Sequence, residues 1–320
     1  MMNPSQRVFP APVSLLEYLL ERGWKPTRDN GREEIAGLCP LHEDHHPSFY
    51  VNRRKQVFYC HGCGRGGGLA RLVRLLGDLT EPVVSPPSEQ LLDGTYDFYQ
   101  RQLVRCEDAV AYLAKRAIHD RAVIERMRIG YAPGACLRGY LARLGYSRHE
   151  LTACGLTDGR DRDAFFRCLT FPLTEAVSLY GRSVTGCLCR HRFLPGSKGG
   201  LYGWAQAAAF SRIIVVEGLF DLAALWQAGF HNAVAALGSH LNNLQITQLC
   251  QTGDRLIYIC FDADRNGSGQ RAAHCLSVQL RHAGVEARRM ELPLGHDPAS
   301  FFASGAAACD FERCLERARP

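Results

Sequence analysis

Between Arg212 and Leu292 three short apolar runs and a fourth, mixed run alternate with helical stretches. RIIVVEG, AVAAL, RLIYICFD and VEARRMEL read as strands, and LFDLAALWQAG, LNNLQITQLC and GSGQRAAHCLSVQLRHAG between them read as helices. Strands that are apolar almost throughout must be covered on both faces, and a helix between successive strands permits a parallel order. The last third is therefore expected to form a mainly parallel α/β sheet.

With 320 residues, 46% hydrophobic and 22% charged, the chain has material for two domains and a small third module. Disorder and a collagen-like repeat are excluded by the apolar content and by glycines without a period of three. No run approaches the ~20 apolar residues of a bilayer-spanning helix. MMNPSQRVFPAPV lacks the basic start and apolar core of an export signal. The expected setting is cytoplasmic, with no membrane partner, and the fourteen cysteines are expected as free thiols and metal ligands. Residues 95–212 carry eighteen Lys or Arg against ten Asp or Glu, whereas residues 213–320 carry nine against eleven. A basic middle beside a slightly acidic last third points to a polyanion groove next to a carboxylate-bearing site. Arg outnumbers Lys by 34 to 4, which GC-rich coding explains more simply than phosphate binding does.

Towards the N-terminus, VSLLEYLLER at 13–22 has a helical apolar stripe closed by Gly23. SFYV at 48–51 and QVFYC at 56–60 read as a hairpin, and LARLVRLLG after the glycines 66–68 as a short helix. The proline-rich, base-free EPVVSPPSEQLLDG at 81–94 reads as a linker. Residues from Tyr96 to about Cys154 read as helical, and 165–185 as strands.

Cys39-Pro-Leu-His42 and Cys60-His-Gly-Cys63 are two pairs with two-residue spacers, separated by 17 residues that hold the hairpin. Such spacers let both members of a pair reach one tetrahedral ion, and three thiolates with one imidazole make a closed site of the structural zinc type. His45, His46 and His61 are alternative ligands or surface residues, and His61 is expected to face solvent or a base. Of Phe49, Tyr50, Phe58 and Tyr59, most are expected to pack the small core and the rest to stack on unpaired bases.

Glu217 ends the first strand of the last third, with Asp221 one helical turn later, and Asp262-Ala-Asp264 ends the third strand before Asn266-Gly-Ser-Gly269. Both sets lie at C-terminal strand ends, where open α/β sheets bind ligands. Carboxylates converging there repel one another unless cations lie between them, and their oxygens suit Mg²⁺ or Mn²⁺. Asp297 can join from the loop after the last strand. The alternative for acids so placed is helix capping and ion pairing.

VVEGLFDLAAL and CFDADRNG resemble the two signatures of the Toprim domain, and CPLHEDHHPSF with FYCHGCGRGG resembles the CHC2-type zinc-binding module of bacterial and phage DnaG-type DNA primases. IGYAP at 129–133, FFRCLTFPL, YGRSV and SKGGLYG at 197–203 are similar too, so the resemblance runs from about residue 13 to 310. It implies an α+β multidomain chain: a zinc ribbon over 1–80, a linker over 81–95, a mixed α+β basic subdomain over 96–205, a Toprim domain over 206–293 and a helical segment over 294–320. It implies zinc on Cys39, His42, Cys60 and Cys63. Glu217, Asp262 and Asp264 become catalytic, and with Asp221 and Asp297 they bind Mg²⁺ or Mn²⁺. Arg167, Arg182, Arg192 and Lys198 fall on basic positions of the template and nucleotide groove. For Arg167 the alternative is an ion pair with Asp161 or Asp163, and for Lys198 a solvated loop charge.

The implied activity is synthesis of short RNA primers on single-stranded DNA from nucleoside triphosphates, with a replicative helicase acting in trans as a further partner. Asp297-Pro298-Ala299 departs from the family's D-P-D, and Ala263 stands where glycine is common. The chain ends 23 residues after Asp297, before a helicase-interaction domain, which suggests a phage or mobile-element version. The rival readings are a Toprim nuclease and a non-catalytic single-strand-binding replication protein.

Overall fold

The computed structural model describes residues 14–29, 31, 33–77, 87–158, 160–173, 177–185, 191–251 and 255–320. The stretch 1–13 and residues 78–86, which include the first six of the proline-rich segment, lie outside the described residues. The chain divides into two compact units, Met1–Val83 and Val84–Pro320.

In the first unit, helix α1 (Leu15–Glu21) begins where Ser14 accepts the N–H of Glu17 and Glu17 accepts the N–H of Ser14. Strands β1 (Pro26–Arg28), β2 (Glu34–Gly37), β3 (Phe49–Asn52), β4 (Val57–Cys60) and β5 (Gly66–Gly68) form an antiparallel meander, followed by helix α2 (Leu69–Leu75). The expected β3–β4 hairpin is present, while β1, β2 and β5 carry no hydropathy signal. The glycines that read as a lead-in to α2 instead pair with β4, because a side chain at Gly66 would lie 2.6 Å from the Tyr59 ring. Phe49, Val51, Phe58 and Cys60 point into the core with Leu15, Leu19 and Leu72. Tyr50 and Tyr59 pair on the opposite face.

The second unit opens with helices α3 (Glu89–Leu103), α4 (Glu107–Lys115) and α5 (Arg121–Arg126), strand β6 (Gly130–Ala132), and helices α6 (Leu137–Arg143) and α7 (Arg148–Ala153). Two expectations are corrected here. Residues 89–94, read as the end of the linker, are the first turns of α3: Ser88 caps it, and Leu91, Leu92, Tyr96 and Tyr99 form its buried stripe. Residues 130–132, read within a helical region, form β6, which pairs with β7 (Cys168–Leu173). Strands β8 (Ser178–Ser183) and β9 (His191–Phe193) complete an antiparallel sheet of order β6-β7-β8-β9, followed by the short helix α8 (Trp204–Ala207).

The final third comprises β10 (Arg212–Val216), α9 (Leu219–Gln227), β11 (Ala233–Ala235), α10 (Asn243–Cys250), β12 (Leu256–Cys260), α11 (Ser268–His282), β13 (Glu286–Arg289), α12 (Pro298–Ala303) and α13 (Ala308–Glu316). Its sheet is parallel with order β11-β10-β12-β13. Ile214, Val216, Tyr258 and Cys260 pack on one face with α9, α12 and α13; Ile213, Val215, Ile257 and Ile259 pack on the other with α11. That two-sided burial is why the strands are apolar at nearly every position, and each fully buried Ile or Val contributes about 1.5–3 kcal/mol. The segment after residue 293 shares this core, since Ala299, Phe301 and Phe311 pack with Leu219 and Leu222. Among the described residues no helix is long and apolar enough to cross a membrane.

Candidate active site and metal cluster

The chain leaves β10, forms β11 on one side and crosses back to place β12 on the other. Strand order therefore reverses between β10 and β12, the crevice in which such sheets hold ligands. Glu217 follows β10 and Asp262 follows β12, and the Asp262 N–H donates to Glu217 Oε1 at 3.2 Å. Two glycines permit this closeness. A Cβ at Gly269 would lie 2.2 Å from the Asp262 carbonyl oxygen, and one at Gly218 would lie 2.7 Å from Asp221 Oδ2. The Ala263 N–H donates to His296 O and the Gly295 N–H to Ala263 O, which draws the Asp297 loop to the same edge.

The five acids differ in environment. Asp221 is buried, and its Oδ1 accepts the Ala299 N–H at 3.2 Å. Burial, with the charges of Asp297 and Asp262, holds its carboxyl well above the ordinary range. Burial also lifts Glu217, against the N–H of Asp262. Asp262 is pushed up to about 7 by burial and then by Glu217, Asp297 and Asp264, and its buried Oδ1 has no hydrogen-bond partner. Asp264 is exposed and accepts the Ser268 hydroxyl at 2.9 Å. Asp297 is the N-cap of α12, with Oδ1 accepting the Ser300 N–H at 2.6 Å and Oδ2 3.5 Å from Arg116 Nη1. Capping, the alternative considered for such acids, thus describes Asp297. An orphaned carboxylate oxygen among like charges, in an all-oxygen donor set, fits a hard divalent cation. The ligand atoms of these acids are nevertheless less tightly gathered than the cysteine cluster: among the described residues only Cys39, His42, Cys60 and Cys63 bring theirs within 4.8 Å of one another.

The basic residues line up along the antiparallel sheet. Arg182 on β8 faces His191 on β9, donating from Nη1 to its Nε2 at 2.6 Å and from Nε to Tyr112 Oη at 3.4 Å. Burial alone would raise the Tyr112 phenol, but the hydrogen bond and charge of Arg182, with the charge of Arg116, leave it below its ordinary value. Arg192 on β9 has a buried Nε without a partner. The Lys198 ammonium lies 4.6 Å from the Phe193 ring centroid and donates to Leu237 O at 3.3 Å, and burial lowers its pKa. Lys198 is therefore more than a solvated loop charge. Arg167 is exposed beside Phe166 and lines a cleft of about 340 Å³ with Arg105 and Tyr131. Its alternative ion pair is not formed: Asp161 pairs with Arg138 and Arg148, and Asp163 accepts the N–H groups of Cys136 and Leu137. Sequence reasoning missed Arg116, Tyr112 and His191, because YLAKR reads only as a helix tail and His191 as an ordinary strand residue.

In the first unit Cys39 Sγ lies 4.0 Å from Cys63 Sγ, and Cys60 Sγ lies 3.9 Å from His42 Nδ1. Ligands 2.3 Å from a tetrahedral zinc stand ~3.8 Å apart, so the set fits that ion. Thiolate sulfurs would be met by the N–H groups of Leu41 and Cys63 and by the Ser48 hydroxyl. Asp44, which the sequence reading passed over, accepts the Cys39 N–H at 2.8 Å and the Ser48 hydroxyl at 2.6 Å. Those bonds, the Ser48 hydroxyl foremost, hold its carboxyl down to about 2. Its only advance signal is its place two residues after His42. His45 and His46 stay outside the cluster, and exposed His61 meets Tyr50 and Tyr59 edge-on at 5.1 and 4.9 Å.

Comparison with known proteins agrees with this architecture. A CHC2 zinc finger family pattern matches residues 27–79, and a Toprim-like pattern matches residues 214–302. The DNA primase of Aquifex aeolicus is 31% identical over 300 residues, which cover 82% of this chain and 59% of the relative. The chain thus spans somewhat more than half the length of that relative. A crystal structure of the Aquifex aeolicus primase, comprising zinc-binding and RNA polymerase domains, aligns over 96% of this chain and 83% of that one, with TM-score 0.64 and 27% identity. A DnaG primase catalytic domain bound to single-stranded DNA aligns over 72% of this chain and 81% of its own, with TM-score 0.60 and 28% identity. With a zinc ribbon and a Toprim domain in this order, on a fold shared with primase cores, the chain belongs to the DnaG-type DNA primase family.

Proposed function

We propose that this chain synthesises short RNA primers on a single-stranded DNA template. The observation that carries the reading is the carboxylate edge at the β10–β12 switch point, with the unpartnered Asp262 oxygen, beside a face bearing Arg182, Arg192 and Lys198. Relatives named DNA primase, and a related catalytic domain bound to single-stranded DNA, support it.

In this reaction a 3′-hydroxyl oxygen bonds to the α-phosphorus of a nucleoside triphosphate, the bond from that phosphorus to pyrophosphate breaks, and the hydroxyl proton passes to solvent water. Mg²⁺ or Mn²⁺ held by Glu217, Asp262 and Asp264 would supply Lewis acidity to the attacking hydroxyl and the leaving oxygens. Asp221 and Asp297 shape that edge from behind. Arg182, Arg192 and Lys198 hold triphosphate or template phosphates, and Arg167 extends the track. Cys39, His42, Cys60 and Cys63 hold a structural zinc, whose closed ligand set leaves no position for substrate. A replicative helicase serves as partner in trans, and the reaction takes place in the cytoplasm.

Because Ala299 stands where a further acid is common in the family, activity should need millimolar Mg²⁺, with Mn²⁺ supporting it better. The test is a primer assay with purified protein, single-stranded template, labelled nucleotides and either metal, read on a denaturing gel. Template-dependent short products support the reading. Nicked DNA without added nucleotides points to a nuclease, and strand binding without products under any condition points to an accessory protein.

A further inference from the structure

Asp297 has both carboxylate oxygens engaged, Oδ1 by the first turn of α12 and Oδ2 by Arg116. Arg116 is itself held in place. It sits at the C-cap of α4, its guanidinium carbon 5.9 Å from the Tyr112 ring centroid and 5.6 Å from that of Phe220, the residue before Asp221. Both members of the pair are largely withdrawn from water, at 30% and 24% side-chain exposure, so their attraction is weakly screened. On the same side, Ala299 is fully buried, brings no carboxylate and uses its N–H on Asp221. Glu217, Asp262 and Asp264 each keep an oxygen that no cap or guanidinium takes up, as does the buried Asp221, whose Oδ1 alone meets the Ala299 N–H, and the Asp262 oxygen is the orphaned one.

A divalent ion on Asp297 would displace a guanidinium already fixed there, or bind beside it against like-charge repulsion. We infer that Arg116 is a built-in cation that takes the place of a second divalent ion, so that this edge holds one divalent ion on Glu217, Asp262 and Asp264 and uses Asp297 as the counter-ion of Arg116. The inference rests on the cation-binding reading above. It gives Arg116 a task in the reaction, since its remaining N–H groups can meet a phosphate oxygen that a second ion would otherwise bridge.

The test counts bound Mn²⁺ in the full, zinc-loaded chain through loss of the free-ion electron paramagnetic resonance signal. Wild type should bind one Mn²⁺ per chain, and Asp297→Asn should also bind one with unchanged affinity. Arg116→Met, which keeps the stem on the aromatic rings, should bind two, and adding Asp297→Asn to it should return the count to one. The inference falls if wild type binds two ions or if Arg116→Met still binds one. It also falls if Asp297→Asn loses its ion or binds it about tenfold more weakly, the loss expected on removing a metal-site partner. Should Arg116→Met fail to fold by circular dichroism, wild type and Asp297→Asn decide the matter alone. If wild type binds no Mn²⁺, the cation-binding reading of the edge itself has failed.

Discussion

The zinc ribbon and the carboxylate edge, to which the proposed function assigns a divalent cation, are assembled in opposite ways. In the ribbon, four ligands from two short motifs converge within 4.8 Å, with N–H groups and a hydroxyl aimed at sulfur. At the edge, carboxylates from three separated segments meet at the ends of parallel strands, lift one another's pKa and leave one oxygen unpaired. A closed set stabilises a fold through its ion. An incomplete set would keep an ion accessible to substrate, and without an ion the native state bears the repulsion of the acids.

Four experiments sharpen that contrast. Cys60→Ser should have the largest effect, because structural zinc contributes about 10–16 kcal/mol to such small units. Elemental analysis should show the zinc gone, and hydrogen exchange should show residues 14–77 unprotected while the parallel sheet keeps its protection. Simultaneous collapse of both units would break the contrast. Asp262→Ala should leave the fold intact, since it removes a source of repulsion. Primer synthesis should drop by on the order of 10²–10³, while fluorescence anisotropy still reports single-strand binding.

A pH series separates the two sites further. Asp262 titrates at about 7 in the fold against 3.8 for a free carboxyl. The metal-free native state therefore binds the extra proton between those values, so its stability should fall as pH rises through that window. Melting curves should show this slope in wild type and a shallower one in Asp262→Asn. Cation affinity should move the other way, rising through pH 7 as the ligand deprotonates. The smallest effects belong to the basic face. Arg167→Ala and Lys198→Ala should each weaken single-strand binding modestly and reduce its salt slope by about 0.7. Unchanged slopes in both would place the strand elsewhere.

Much of this was legible in the residues because the signals are local. Two-residue spacers around a hairpin bring Cys39, His42, Cys60 and Cys63 together with little help from the rest of the chain. Three apolar runs and a fourth, mixed one separated by helices specify a parallel sheet, and an acid directly after such a run lands at its C-terminal edge. Signals were absent where pairing is long-range. Gly66–Gly68 became a strand because β4 offered an edge and Tyr59 left no room for a side chain. Gly130–Ala132 became one because β7 lay alongside.

The sequence by itself determined which residue types reach which element ends: thiolates and imidazole in the ribbon, and Glu217, Asp262 and Asp264 after two buried strands. Only the tertiary structure decided how each acid is used. Asp297 reads like a fifth ligand, yet it caps α12 and faces Arg116, a residue 181 positions away. Arg116 reads as the end of a solvated helix, yet α4 packs it against Phe220 at the carboxylate edge. Motif spacing fixes distances along a few residues, whereas the field at a carboxylate depends on every charge and dipole that folding brings within a few ångströms.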